Sequence, residues 1–215
     1  VDLVPSPFVP GFVKICGVTS VDDAKVVVSA GASALGLILA ESARQLTLDQ
    51  ARDIAAATQG DLLRFAVFRG RDDDFIVEHV DALQADVAQV HGPLSEGLRQ
   101  ALRDRSVLIV KALSINEPSF ADFDETTVDA VLIDGPRPGS GVTYDVRQLK
   151  ERVFRVPVIA AGGLTPINVR HVITTTSVSG VDCSTGVERR PGAKDPERVD
   201  EFVTTARAAF EEREG

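Results

Sequence analysis

Eight short apolar runs recur from residue 12 onward, each followed by helix-forming sequence, and this alternation restricts the fold more than any other feature. The runs are FVKIC (12–16), ALGLILA (34–40), LLRFAVF (62–68), DVAQVH (86–91), VLIVKAL (107–113), AVLID (130–134), VPVIAA (156–161) and GVDCS (180–184). They lack an apolar–polar alternation, as expected of strands in a parallel sheet covered on both faces. Between them lie helix starts: Ser20 with Asp23 before a helix to Ala30, Thr47 with Gln50, and the acidic opening Asp72, Asp73 and Asp74. Further helices are expected near Tyr144, at Thr165 and Pro166 as N-cap and first helical position, and from Asp195 and Pro196 to about Arg213. A doubly wound open sheet has the same local pattern. Eight regularly spaced units favour closure, so the expectation is α/β: a single (β/α)8 TIM barrel over 12–215 behind an extended, proline-rich tail at 1–11.

At 215 residues the chain suits one domain with a substantial core, and 44% hydrophobic and 26% charged residues are ordinary for a soluble protein. A formal net charge of −9 argues against nucleic acid or an anionic membrane as partner. An anionic ligand must then be held by local amides and a few cations. Two cysteines, Cys16 and Cys183, make no disulfide framework, and VDLVPSPFVPGF does not read as a signal peptide. No run reaches the ~18 apolar residues of a membrane span. The expectation is a cytoplasmic protein, monomer or homodimer, whose partner is a small phosphorylated molecule.

The phosphate reading comes from the last third. VPVIAAGGLTPINV (156–169) and GVDCSTGVE (180–188) each end an apolar run in glycine and small hydroxyl residues before a helix start. Backbone N–H groups in such turns attract anions, and barrels of this type hold phosphate after strands 7 and 8. Catalytic groups in such barrels also sit where strands end. Those positions are Cys16, Glu41 to Arg44, Phe68 with Arg69, His91, Lys111, Asp134, Gly162 with Gly163, and Ser184. No metal-ligand spacing, Gly-x-Ser-x-Gly elbow or P-loop occurs.

Cys16 precedes a glycine and a helix start, where a thiolate is favoured and can serve as a base; equally, it is a small buried hydrophobe. Asp134 follows a run of aliphatics, where a carboxyl needs a task or a partner; a helix cap or turn former is the plainer reading. A thiol and a carboxyl across a barrel mouth would make an acid–base pair. His91 can bond a substrate or satisfy a structural contact. Arg44 can fork onto a carboxylate or remain a solvated charge. Cys183 reads as core packing.

From about Val13 to Ala206 the chain resembles the phosphoribosylanthranilate isomerase family. The resemblance rests on KICGVT (14–19), GASALGLILA (31–40), AQVHG (88–92), VKAL (110–113), LID (132–134), PVIAAGGLTPINV (157–169) and GVDCSTGVERRPGAKDPERV (180–199). It implies an Amadori rearrangement without cofactor or metal, with Asp134 as general acid and Cys16 as general base. It also implies that Gly162, Gly163, Ser184 and Gly186 hold the phosphate and that Arg44 faces the anthranilate carboxylate. Three segments depart from the family pattern: PGSGVTYDV (138–146), AVFRG (66–70) with Arg69, and the loop AESAR that carries Arg44. A related phosphosugar isomerase with another N-substituent, or a silent phosphate-binding barrel subunit, are the alternatives.

Overall fold

A computed structural model describes residues 6–116, 123–135, 149 and 153–215; the helix expected near Tyr144, the loop 138–146 and residues 1–5 lie outside the described residues. Eight parallel strands close into a barrel in sequence order: β1 (Phe12–Cys16), β2 (Ala34–Ile38), β3 (Leu63–Arg69), β4 (Val87–His91), β5 (Leu108–Ser114), β6 (Ala130–Asp134), β7 (Val158–Ala160) and β8 (Gly180–Cys183). Closure is made by β1 against β8, with Lys14 opposite Asp182. The described helices are α1 (Val21–Ser29), α2 (Leu48–Ala57), α3 (Asp73–Leu83), α4 (Glu96–Asp104), α5 (Val169–Thr175) and α6 (Pro196–Glu214). None is long and apolar enough to cross a membrane.

The expected caps start their helices. Ser20 accepts the Asp23 N–H, Thr47 and Gln50 form a full capping box, Asp72 accepts from Phe75, and Asp195 accepts from Glu197 and Arg198 with Pro196 in the first turn. One expectation needs correction: Thr165 and Pro166 do not open the helix after β7, which begins at Val169 with Asn168 as N-cap. The Asn168 Oδ1 accepts the Thr165 N–H at 2.8 Å, and its amide donates to the Gly163 carbonyl at 2.9 Å. These side-chain bonds hold a turn first and delay the helix.

Strand periodicity, invisible as a polar alternation, sorts the core into two clusters. Val13, Ile15, Leu35, Leu37, Ala66 and Phe68 face the surrounding helices. Phe12, Cys16, Phe65, Val67, Val110 and Leu132 belong to the barrel interior. Phe8, in the stretch read as a tail, joins that interior: it is 1% exposed, with its ring 5.2 Å from that of Phe12 and 6.2 Å from that of Phe65. Burying such a side chain contributes roughly 1.5–3 kcal/mol, so the segment before β1 plugs the end of the barrel where the strands begin. The opposite end is left for chemistry.

Candidate active site

Toward their C-terminal ends the inward-facing positions turn polar, and they line one cleft. Its walls include Cys16 from β1, Arg69 from β3, His91 from β4, Asp134 from β6, Gly162 and Gly163 after β7, and Ser184 after β8. Arg44 reaches the same cleft from the loop after β2. The cleft is thus built from most of the strands, and its chemistry depends on barrel closure.

Cys16 is buried beside Lys14. A side chain at Gly36 would stand 2.6 Å from the Cys16 Sγ and 3.2 Å from the Lys14 Nζ, so this glycine leaves room for both groups at one point. Lys14 is fully buried, and its ammonium donates to Asp182 Oδ1 at 2.9 Å. Burial pushes the Cys16 thiol up; Lys14 pulls it back down, while Asp182 adds to the rise. The cation that favours the thiolate is therefore Lys14. This corrects the helix-start argument, because α1 begins five residues later and Cys16 points into the barrel interior.

Asp134 is 8% exposed, and its Oδ1 accepts the Gly135 N–H at 2.8 Å. Burial first, and the Asp182 charge second, push its carboxyl up to about 6; the Gly135 N–H, Arg69 and Lys14 oppose the rise. Gly162 makes this burial possible. A Cβ there would lie 2.7 Å from Asp134 Oδ1 and 2.4 Å from the Gly135 nitrogen, and its φ of +85° is left-handed backbone.

A second buried network holds the β1–β8 rim. Arg44 Nε and Nη2 donate to the two oxygens of Glu188, both at 2.7 Å. Lys194, fully buried, places its three donors on the Cys16 carbonyl at 2.6 Å, the Ser184 carbonyl at 3.2 Å and Glu188 Oε1 at 3.1 Å. Glu188 and Lys194 come from an unanticipated hairpin of β9 (Glu188–Arg190) and β10 (Ala193–Lys194). The Arg44 bonds hold the Glu188 carboxyl below its ordinary value, and Lys194 does likewise, against the effect of burial. With the ordinary charges of its members, the cluster carries one net positive charge.

The phosphate-type turns stand where the sequence puts them, with two differences. Ser184 leads into a single 3-10 turn, Thr185–Val187, in place of a full helix. Gly186 lies behind the wall: a Cβ there would be 1.9 Å from the Leu164 carbonyl oxygen and 3.1 Å from the Cys183 sulfur. Cys183 is core packing, as read, and its thiol donates to the Leu164 carbonyl at 3.1 Å. The Ser184 Oγ is buried without a partner.

Of the eight residues read as catalytic or substrate-binding (Cys16, Arg44, His91, Asp134, Gly162, Gly163, Ser184 and Gly186), all but Gly186 line the cleft. Sequence reasoning overlooked Lys14, Gln89 and Asp182. Each stands two residues before a strand-end candidate, at the spacing that returns a strand to the same face. Lys111, read as a strand-end candidate, is not in the wall; it is buried with its ammonium 5.9 Å from the Phe123 ring centre.

The family model described as N-(5'phosphoribosyl)anthranilate (PRA) isomerase matches residues 13–205. The N-(5'-phosphoribosyl)anthranilate isomerase of Oceanobacillus iheyensis is 34% identical over 198 residues, which cover 90% of this chain and 95% of the relative. The crystal structure of the Thermotoga maritima phosphoribosyl anthranilate isomerase superposes with a TM-score of 0.83 at 30% identity, covering 92% of this chain and 98% of that one. A phosphoribosyl anthranilate isomerase solved in complex with reduced 1-(o-carboxyphenylamino)-1-deoxyribulose 5-phosphate superposes with a TM-score of 0.78 at 28% identity, with the same two coverages.

Proposed function

The chain belongs to the N-(5'-phosphoribosyl)anthranilate isomerase family, and from that premise we propose that it converts N-(5-phosphoribosyl)anthranilate to 1-(2-carboxyphenylamino)-1-deoxyribulose 5-phosphate in tryptophan biosynthesis. The observation that carries this reading is a buried thiol beside an ammonium, facing one cleft with a carboxyl that burial holds partly protonated. A phosphate-binding module needs the glycine turns and has no use for such a pair.

Asp134 gives its proton to the furanose ring oxygen. The C1–O bond breaks as the aryl nitrogen's lone pair closes a C1=N double bond, leaving an open-chain protonated Schiff base. Cys16, as thiolate, then removes the C2 proton; the C–H electrons form the C1=C2 bond and neutralise the nitrogen, giving an enolamine. Loss of the C2 hydroxyl proton and gain of a proton at C1 complete the ketone. Lys14 lowers the cost of the thiolate, and Asp182 holds Lys14 in place.

Gly162, Gly163 and Ser184 take the phosphate. The unpartnered Ser184 hydroxyl supplies one donor, and the turn amides supply the others. Arg44 takes the aryl carboxylate with its Nη1 edge, because Glu188 occupies Nε and one Nη2 position. His91 lines the wall between the β3 and β5 sides, and we place it against the substrate. The protein works as a monomer or homodimer in the cytoplasm.

The test is turnover of N-(5-phosphoribosyl)anthranilate by the purified protein, followed by loss of the substrate's fluorescence. Turnover that disappears in Cys16→Ala and in Asp134→Asn supports the assignment. No turnover by a folded wild-type protein that binds phosphate overturns it.

A further inference from the structure

The His91 ring stands between two side chains: Arg69 Nη2 lies 3.2 Å from Nδ1, and the Gln89 amide lies 3.1 Å from Nε2. A neutral imidazole accepts at one nitrogen and donates at the other. Arg69 has only donors, so Nδ1 accepts and Nε2 carries the proton. The Gln89 atom facing Nε2 is then its carbonyl oxygen, an amide orientation set by the network. Protonating His91 would put a second cation beside Arg69, with Lys111 and Lys14 nearby; burial, followed by these charges, pulls its pKa down to about 3.

As placed, the Gln89 nitrogen faces Nε2 and its buried oxygen meets no hydrogen-bond donor; exchanging the two, as this tautomer requires, puts the NH2 at that buried position. Gln89 is 2% exposed and lines the cleft. Among the described residues two buried side-chain polar atoms lack a partner, one on Gln89 and the other the Ser184 Oγ. Both belong to this cleft, on β4 and just after β8, opposite sides of an eight-stranded barrel. A buried donor without an acceptor is costly unless a ligand supplies one.

We propose that Arg69, His91 and Gln89 form a one-directional donor relay, and that its last member, the Gln89 amide, binds a ribosyl oxygen of the substrate across the cleft from the phosphate. The inference rests on the function proposed above for the ligand's identity. The phosphate has the glycine turns and Ser184, and the aryl carboxylate has a guanidinium. The acceptors left between them are the hydroxyl oxygens of the sugar, which suit a neutral amide donor. Arg69 touches no reacting atom in this scheme. It is a positioning residue that fixes the His91 tautomer and, through it, the Gln89 amide.

Two measurements test the relay. In 15N-labelled protein, the His91 ring signals, assigned by their loss in His91→Gln, should show an unprotonated Nδ1 and a protonated Nε2 near neutral pH. Arg69→Ala should mix the tautomers, and Arg69→Gln, which keeps a donor, should restore the single form. A protonated Nδ1 in the wild type overturns the proposal. Separately, binding of ribose 5-phosphate and of inorganic phosphate is compared in the wild type and in Gln89→Leu. Loss of one buried hydrogen bond should weaken ribose 5-phosphate about tenfold while leaving inorganic phosphate unchanged. Equal loss for both ligands, or no loss for either, overturns it. Neither readout needs turnover, so failure of the proposed isomerisation and failure of the relay are separable.

Discussion

The acid–base pair has an unusual consequence for the dependence of rate on pH. In the proposed mechanism, turnover requires Cys16 without its proton and Asp134 with one. Burial pushes the thiol above its ordinary value and the carboxyl up to about 6. The base therefore titrates above the acid, and most molecules at neutral pH carry the opposite pair, thiol and carboxylate. Because the thiol is raised by burial and the carboxyl loses its proton at about 6, only a minor fraction of the free enzyme is correctly protonated. That fraction is constant between the two values and falls about tenfold per pH unit outside them. The kcat/KM profile should thus be flat in the middle, with an acid limb near pH 6 set by Asp134 and an alkaline limb set by Cys16. The assay is the initial rate of fluorescence loss from about pH 5 to 10, paired with thiolate absorbance over the same range. Cys183 is pushed far up by burial and contributes no thiolate signal at these values. Thiolate appearing along the alkaline limb, and absent in Cys16→Ala, is the expected result. Thiolate appearing along the acid limb would refute the assignment, since Cys16 would then be the lower-titrating group.

Asp134→Asn should lower kcat by about 10²–10⁴-fold and at the same time stabilise the fold. The folded carboxyl, at about 6, lies above the ~3.9 of the unfolded chain, so its stability contribution is complete below pH ~3.9 and is lost as pH rises through 6. The variant should gain about 2–3 kcal/mol over the wild type at neutral pH, a gain that vanishes near pH 4 in paired thermal melts. Ser184→Ala should raise KM about tenfold with little change in kcat, because a phosphate contact serves ground and transition states alike; a fall in kcat alone would assign the hydroxyl to the chemistry. Glu188→Gln should weaken an anthranilate-bearing product analogue several-fold while inorganic phosphate binds as before, and the effect should disappear in an Arg44→Ala background; additive effects in that double-mutant cycle would separate the two residues.

The barrel was legible because its signals are local. Apolar runs without alternation, Ser20, Thr47, Asp72 and Asp195 as caps, and regular spacing all point to one architecture. Cys16, Asp134 and His91 were legible because a strand's last inward residue is predictable once the strand is. Lys14, Gln89 and Asp182 were hidden by the same property that marked the strands, since a polar residue inside an apolar run reads as noise until the inward face is known. Counting back two residues from Cys16, His91 and Ser184 recovers all three. The Arg44–Glu188–Lys194 cluster had no local signature: Arg44 and Glu188 are 144 positions apart, and only closure of the barrel joins them. The late start of α5 was missed because the bonds that delay it, from Asn168 to Thr165 and Gly163, compete with helix formation inside the turn itself.

Those long-range contacts explain why the two ends of the barrel sequence share one site. Lys14 opposite Asp182 is at once the strand register that closes the barrel and the ion pair beneath the proposed base. Lys194 adds a second link across the same seam, binding the carbonyls of Cys16 and Ser184, and so ties the backbone of the proposed base to the phosphate turn. Each ammonium is fully buried in a chain of net charge −9, and each is matched by a carboxylate, Asp182 or Glu188. Removing either partner strands a buried charge, at a cost of about 3–5 kcal/mol. The β1–β8 seam is therefore the place where loss of stability and loss of catalysis coincide. Asp134, whose charge the fold opposes, shows the reverse relation.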